Sequence, residues 1–363
     1  MTPETRNLYY ASRLSLIVSV LLGFLLTPNL AKAQDISEFR EFEDSLAVLA
    51  AVIYKGETEA EKHTANEIFL TLLSDALSLN NSFKYPFDSL KYISMITSPD
   101  KRFRIITWMI MKENGTYEYF GFIQSFSRRK NDYEVYPLTD MSESMDSPES
   151  KVLDHKNWYG AVYYEVILTR KGGNRYYTLL GWDGNNPLIR RKLIEVLTLR
   201  SNGMPRFGQS LFRYGRPHLK RVFFEYSSLA TMNLRYERQH YTIKKDRIFV
   251  KDKKKSTYKK KKNLINRLTG GRRVPGGSTQ PTRRERKSYR EVRRSENMII
   301  FDNLIPMEPL LEGQRQFYVP EGNIMNAFRF SGGKWRLVED IDARNPKHQY
   351  DKPRRRPRPE EGL

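Results

Sequence analysis

The side chains best suited to proton chemistry near neutral pH are five histidines, His63, His155, His218, His240 and His348, and their spacing matches no metal or catalytic motif. His63 falls on an expected helix and His348 in the C-terminal tail, so both read as surface residues. His155 and His218 fall in loops beside expected strands, where an imidazole exchanges protons only if the fold supplies a partner. There is no cysteine, which removes thiol nucleophiles, thiolate zinc sites and iron–sulfur clusters. The sequence also lacks the G-x-S-x-G elbow, the phosphate-binding P-loop and the H-E-x-x-H helix. No metal and no cofactor is expected.

Oxygen-bearing side chains are more plentiful. Trp182-Asp183-Gly184-Asn185-Asn186-Pro187 gathers carboxylate and amide oxygens beside an aromatic ring at a strand end, as sugar- and calcium-binding loops do. This makes Trp182, Asp183, Asn185 and Asn186 candidate ligand-binding residues. The competing reading is a tight turn, because Asp, Gly and Asn favour turns for backbone reasons alone. Glu225, Asp302, Glu339, Asp340 and Asp342 could supply a carboxylate pair for glycoside hydrolysis, a matter decided by their separation in space. Pro306-Met307-Glu308-Pro309 reads as a connector.

The formal net charge of +21 would suit a nucleic-acid binder if it were spread over the fold. It is not. The segment 251–294 holds 18 Lys and Arg against Asp252, Glu285 and Glu291, and the tail 344–363 holds seven basic residues against three acidic. Once these and the slightly basic first 33 residues are set aside, the remainder of the chain is neutral. Lys259, Lys260, Lys261, Lys262, Arg272, Arg273, Arg283 and Arg284 mark the insertion as a candidate polyanion-binding segment, through release of condensed counterions. Its aromatics, Tyr258 and Tyr289, are too few for a stacking platform, so an anionic envelope component is the expected partner rather than nucleic acid. A solvated segment with no dedicated partner is the alternative.

The elements that must position any site change period along the chain. Phe39, Phe42, Leu46, Leu49 and Ile53 recur at three- and four-residue steps, which predicts an amphipathic helix. After Gly56, acidic Glu57, Glu59 and Glu61 precede Ile68, Phe69, Leu72, Leu73 and Ala76, which predicts a second helix antiparallel to the first within 34–82. Within a β domain expected over 83–343, the period falls to two from about Leu90, with Tyr, Phe, Trp, Ile and Val at the apolar positions. Hairpins are expected about Asn114-Gly115, Gly172-Gly173, Asn202-Gly203 and Gly332-Gly333. The fold class is therefore α+β, mainly β: a helical pair followed by an antiparallel meander of roughly a dozen strands, closing as a barrel, sandwich or propeller. Too few apolar residues fall in 251–294 or 344–363 to offset their ordering entropy, so both are expected to be disordered.

The first 33 residues read as a secretory signal peptide: Arg6 and Arg13, then the apolar run Leu14 to Leu26, then a helix-breaking Pro28. The run is short for a bilayer span of about 20 residues. Ala31 and Ala33 place small side chains where signal peptidase needs them, so cleavage before Gln34 is expected. The mature chain is then exported, to the periplasm, cell envelope or medium, without a transmembrane segment.

Through Trp158-Tyr159-Gly160-Ala161, Gly181-Trp182-Asp183-Gly184-Asn185-Asn186 and Gly332-Gly333-Lys334-Trp335 the chain resembles exported β-rich proteins of the Bacteroidota type, a group with no assigned activity. The resemblance implies an envelope location and carries no functional residues with it. The functional expectation is a non-enzymatic binding or scaffold domain. The alternatives are an exported hydrolase using strand-end carboxylates such as Asp183, and polyanion binding through the insertion.

Overall fold

The computed structural model describes residues 37–215, 218–246 and 289–341. The leader with Ala31, Ala33 and Gln34, the tail 344–363, and Lys259–Lys262, Arg272, Arg273, Arg283 and Arg284 of the insertion lie outside the described residues. The chain divides into two units, 1–237 with 298–341 and 238–297 with 342–363. In the second, the described residues belong to strands, and Arg238 Nε donates to Ser295 Oγ at 2.8 Å. The first unit carries the layers described next.

Two helices open it, α1 (37–55) and α2 (Glu59–Ser78). The predicted stripe holds: Phe39, Leu46, Ala50 and Ile53 of α1 and Phe69, Leu73, Ala76 and Leu77 of α2 are buried together. Ile68, expected on the inner face, is instead about half exposed. Thr58 caps α2 by accepting from Glu61 N–H at 3.2 Å, while the Glu61 carboxylate accepts from Glu57 N–H at 2.9 Å. Both satisfy donors that the first turn leaves unpaired.

Fifteen strands follow among the described residues, in three open sheets. The first sheet runs in sequence order: β1 (Ser94–Thr97), β2 (Phe103–Met111), β3 (Tyr117–Ser127) and β4 (Asp132–Thr139). The second holds β5 (Leu153–Asp154), β6 (Val162–Lys171), β7 (Asn174–Asp183), β8 (Ile189–Leu199), β9 (Pro205–Phe207) and β11 (Arg221–Ser227), with β11 also paired to β8. The third holds β10 (Phe212–Arg213), β12 (Leu234–Asp246), β13 (Tyr289–Pro306), β14 (Tyr318–Ser331) and β15 (Lys334–Ile341).

Side-chain alternation stacks these layers. Ile106, Trp108 and Ile110 of β2 face the helices, with Trp108 Nε1 donating to the buried Asn66 Oδ1 at 2.7 Å. Phe103 and Ile105, on the opposite face, pack on Tyr177, Leu179, Leu193 and Leu197 of the second sheet. The far face of that sheet, including Leu180, Ile194 and Val196, packs on Ile299, Phe301, Phe328 and Trp335 of the third. The central sheet is thus covered on both faces, and β7 and β8 each contain a continuous buried run where a half-buried strand would alternate.

Several sequence expectations need correction. All four expected hairpins form, and the loops at Asn114-Gly115 and Asn202-Gly203 are longer than two residues. In each, the glycine alone takes positive φ (+78° and +89°) after a type I turn, giving a three-residue loop. Gly172-Gly173 and Gly332-Gly333 do form two-residue turns with both φ positive. The apolar run over 221–236 forms two strands separated at 228–233, and the pairing of β10 with β15 is parallel, so the meander is not wholly antiparallel. Strand β13 begins at Tyr289, inside the 251–294 stretch expected to lack structure.

Candidate functional site

The loop after β7 places its oxygens inward. Asp183 is buried; its Oδ1 accepts from the Tyr119 hydroxyl at 2.8 Å and Asn185 N–H at 2.8 Å, and its Oδ2 from the Tyr159 hydroxyl at 2.6 Å. Arg191 Nη1 lies 3.7 Å from Oδ2. Burial first, then the Asp183 charge, pushes both phenols well above their ordinary range, so they stay protonated donors. Asn186 Oδ1 accepts from the N–H groups of Leu188 and Ile189 at 3.0 and 2.9 Å, an Asx turn. Asn185 sits at φ +53° and donates to the Ile189 carbonyl at 3.3 Å. Gly184 is required here, because a Cβ would meet the Tyr117 ring at 2.3 Å. The ring of Trp182 packs edge-on against Tyr117. These four candidates therefore serve as an internal corner.

The carboxylates are also engaged. Glu225 and Asp302 line one cavity of about 210 Å³, so the structure does bring two of the predicted acids together. Glu225 Oε1, however, accepts from Arg191 Nε at 2.8 Å, and Asp302 Oδ2 accepts from Asn233 N–H at 2.7 Å. His63 sits between Glu59 and Glu118 at 3.6 and 3.7 Å on the surface. His155 stacks edge-on against Tyr136, and burial holds its imidazole below its ordinary pKa.

A different constellation has the character of a binding site. Between the end of β3, the turn before β2 and the β8–β9 hairpin lies a cavity of about 390 Å³, lined by Arg102, Arg128, Arg175 and Arg200. One carboxylate, Asp100, stands against them: its Oδ2 is 3.1 Å from Arg175 Nε and accepts from the Tyr177 hydroxyl at 3.0 Å. The Arg102 guanidinium lies 5.2 Å from the Phe126 ring centre. Among the described residues, no carboxylate pairs with Arg102, Arg128 or Arg200. Burial, then Asp100, raises the Tyr177 phenol, which stays a donor.

The cluster is held by bonds from the backbone rather than by its own charges. Ser98 Oγ accepts from the N–H groups of Arg102 and Phe103 at 2.9 and 3.2 Å and donates to Asp100 Oδ1 at 3.0 Å, closing the Ser98-Pro99-Asp100-Lys101 turn. Phe126 N–H donates to the Arg102 carbonyl at 2.8 Å. Arg128 N–H donates to the Ser201 carbonyl at 3.2 Å, the Ser125 hydroxyl to the Gly203 carbonyl at 2.6 Å, and the Tyr136 hydroxyl to the Asn202 carbonyl at 3.0 Å. These three bonds dock the β8–β9 hairpin on the first sheet and bring Arg128 and Arg200 to one cavity. The backbone so held carries forked guanidinium donors, whose geometry matches a carboxylate, sulfate or phosphate, to one cavity.

Comparison with known proteins found no matching family, no similar curated protein and no similar solved structure. The arginine cavity is the constellation that reading the sequence missed. Arg102, Arg128, Arg175 and Arg200 are scattered over about a hundred positions, Arg175 within β7 and the other three just beyond strand ends, among residues of mixed charge. The one signal was the Ser-Pro-Asp-Lys turn, legible as a turn but not as one wall of a site.

Proposed function

We propose that this protein is an exported, non-enzymatic binding module of the cell envelope whose ligand presents an anionic group to the arginine cavity. The observation that carries this reading is the convergence of four arginines on one cavity against the single Asp100, in a chain whose remainder outside its basic segments is neutral. A local excess of fixed positive charge raises the concentration of anions at its mouth. The leader-like first 33 residues support export, and among the described residues no helix is long and apolar enough to cross a membrane. The commitment of Asp183 to Tyr119, Tyr159 and Arg191 argues against its use as a hydrolytic base.

The test is calorimetric titration of the full mature chain with a heparin-derived sulfated disaccharide and with its unsulfated counterpart. The sulfated sugar is expected to bind, the unsulfated one not, and Arg128→Ser with Arg200→Ser to weaken binding about tenfold, equivalent to about 1.4 kcal/mol. Equal affinity of the double variant and the parent would remove the cavity from the account. Turnover of glycan, ester or phosphate substrates that is lost in Asp183→Asn would replace binding by hydrolysis.

A further inference from the structure

Arg200 belongs to two cavities. On one side lies the arginine cavity; on the other lies a larger one, about 680 Å³, bounded by Lys151, Asp154, Arg200 and Arg206 with Met141 and Met145. The β8–β9 hairpin thus forms a divide with Arg102, Arg128 and Arg175 on one slope and Lys151 and Arg206 on the other. The acids on these slopes are already occupied. Asp100 holds Arg175 and Tyr177, and Asp154 Oδ1 accepts from Lys156 N–H, Asn157 N–H and Asn157 Nδ2 at 2.9, 3.2 and 3.2 Å. Those three hydrogen bonds offset the burial that would raise Asp154, and its pKa lies below its ordinary value. It therefore stays a satisfied anion and leaves Arg206, opposite it on β9, without an ion pair among the described residues.

Resting on the proposal that the first cavity takes an anionic group, we infer that the two cavities together take a linear anionic glycan whose successive charged units straddle Arg200. Three features select this ligand. Cations occur on both slopes, so a ligand with one charge leaves half of them unanswered. Each cavity is of the size that encloses a small ligand, which fits consecutive units of a chain rather than one compact molecule. Neutral polar side chains stand among the cations, and Asn174, Ser201 and Gln209 make no side-chain hydrogen bond among the described residues, which suits a hydroxyl-rich chain. A single-stranded nucleic acid is the other linear polyanion, but it needs aromatic faces for its bases. The second cavity has none, and the first offers only the half-buried Tyr176 beside the buried Tyr177, one ring where a strand of bases needs a series of them.

The experiment compares a heparin disaccharide and an octasaccharide of the same repeat, titrated into the full mature chain and into a Lys151→Ser, Arg206→Ser double variant. Both positions are exposed, and thermal unfolding checks that the variant is folded. The octasaccharide is expected to bind the parent at least about tenfold more tightly than the disaccharide, because the second contact becomes intramolecular. In the variant this ratio is expected to fall to about threefold or less, the remainder being the larger number of binding registers on a longer chain. The basic segments outside the described residues are the same in both proteins, so a difference in the ratio comes from Lys151 and Arg206. An equal ratio in variant and parent overturns the inference, as does a twelve-nucleotide single strand that binds more tightly than the octasaccharide and depends on the same two residues. Failure of the underlying reading looks different: neither saccharide then distinguishes the parent from Arg128→Ser with Arg200→Ser. If Lys151→Ser, Arg206→Ser unfolds, the charge-keeping Arg206→Lys is used, and it is expected to retain most of the parent ratio; loss of the ratio in that folded variant counts against the inference.

Discussion

Arg221 and Glu195 face each other across the β11–β8 pair with no solvent exposure on either side chain. Arg221 Nη2 and Nε donate to Glu195 Oε2 at 2.8 and 3.1 Å, and the Tyr163 hydroxyl donates to Oε1. Arg221 Nη1 donates to the carbonyls of Pro148 and Lys151, the latter at 3.3 Å. The Arg221→Met substitution leaves a buried carboxylate with one hydroxyl and no cation, and breaking such a pair costs about 3–5 kcal/mol. At a few degrees per kcal/mol for a domain of this size, the melting temperature should fall on the order of 10 °C. Removing both charges, as Glu195→Leu with Arg221→Met, leaves the two carbonyls short of a donor and the Tyr163 hydroxyl short of an acceptor, about 1–3 kcal/mol for each group left unsatisfied, but no stranded ion. The double variant should therefore be more stable than Arg221→Met alone, with a coupling energy of about 2 kcal/mol or more in a cycle that includes Glu195→Leu. Urea unfolding followed by tryptophan fluorescence measures all four proteins, Trp158 lying beside Tyr163 in the same buried layer. A cost below about 1 kcal/mol for Arg221→Met, or a double variant as unstable as the summed singles, would refute the reasoning. Lys151 bounds the second cavity, so the network also steadies one slope of the proposed glycan path.

Two further outcomes follow from local geometry. Gly203 sits at φ +89°, and a Cβ there would lie 3.0 Å from Ser125 Oγ, so Gly203→Ala should cost about 1 kcal/mol or more and shift the hairpin that carries Arg200. Disaccharide binding should weaken although no charge is lost, and unaltered affinity in calorimetry would show that the hairpin does not position the arginines. Glu43 is nearly buried; burial raises its pKa, but hydrogen bonds from the Tyr85 hydroxyl and Ser89 N–H at 2.5 and 2.6 Å more than offset this, so its pKa is lowered. Its contribution is present above the unfolded pKa, about 4.3 for glutamate, and is lost as pH falls through the lower folded value. Glu43→Gln should flatten that acid limb of the stability curve, and an unchanged limb in urea titrations at pH 5 and pH 3 would count against it.

Local chemistry is what the sequence carried. The stripe Phe39, Leu46 and Ile53 required only a period of 3.6, and it is buried as read. The change to period two located the strands, and the glycine-bearing pairs located all four hairpins. Loop length was not legible, because Asn-Gly is compatible with two- and three-residue loops and strand register decides between them. In the candidate loop, residue types suggested a ligand while the fold engages the side-chain oxygens of Asp183 and Asn186 in internal hydrogen bonds. Asp183 looked available until Tyr119 and Tyr159, brought from other strands, closed on it.

Composition and periodicity by themselves determined that the chain is a helical pair followed by strands, without thiol chemistry and with its excess charge confined to separate segments. Tertiary structure decided that the strands stack as three sheets with the middle one covered on both faces, and that Arg102, Arg128, Arg175 and Arg200 share one cavity. The physical reason is that period and turn propensity act over a few residues, whereas convergence of charges depends on which sheet faces meet. That is fixed by burying apolar surface, which carries no label of its partner along the chain.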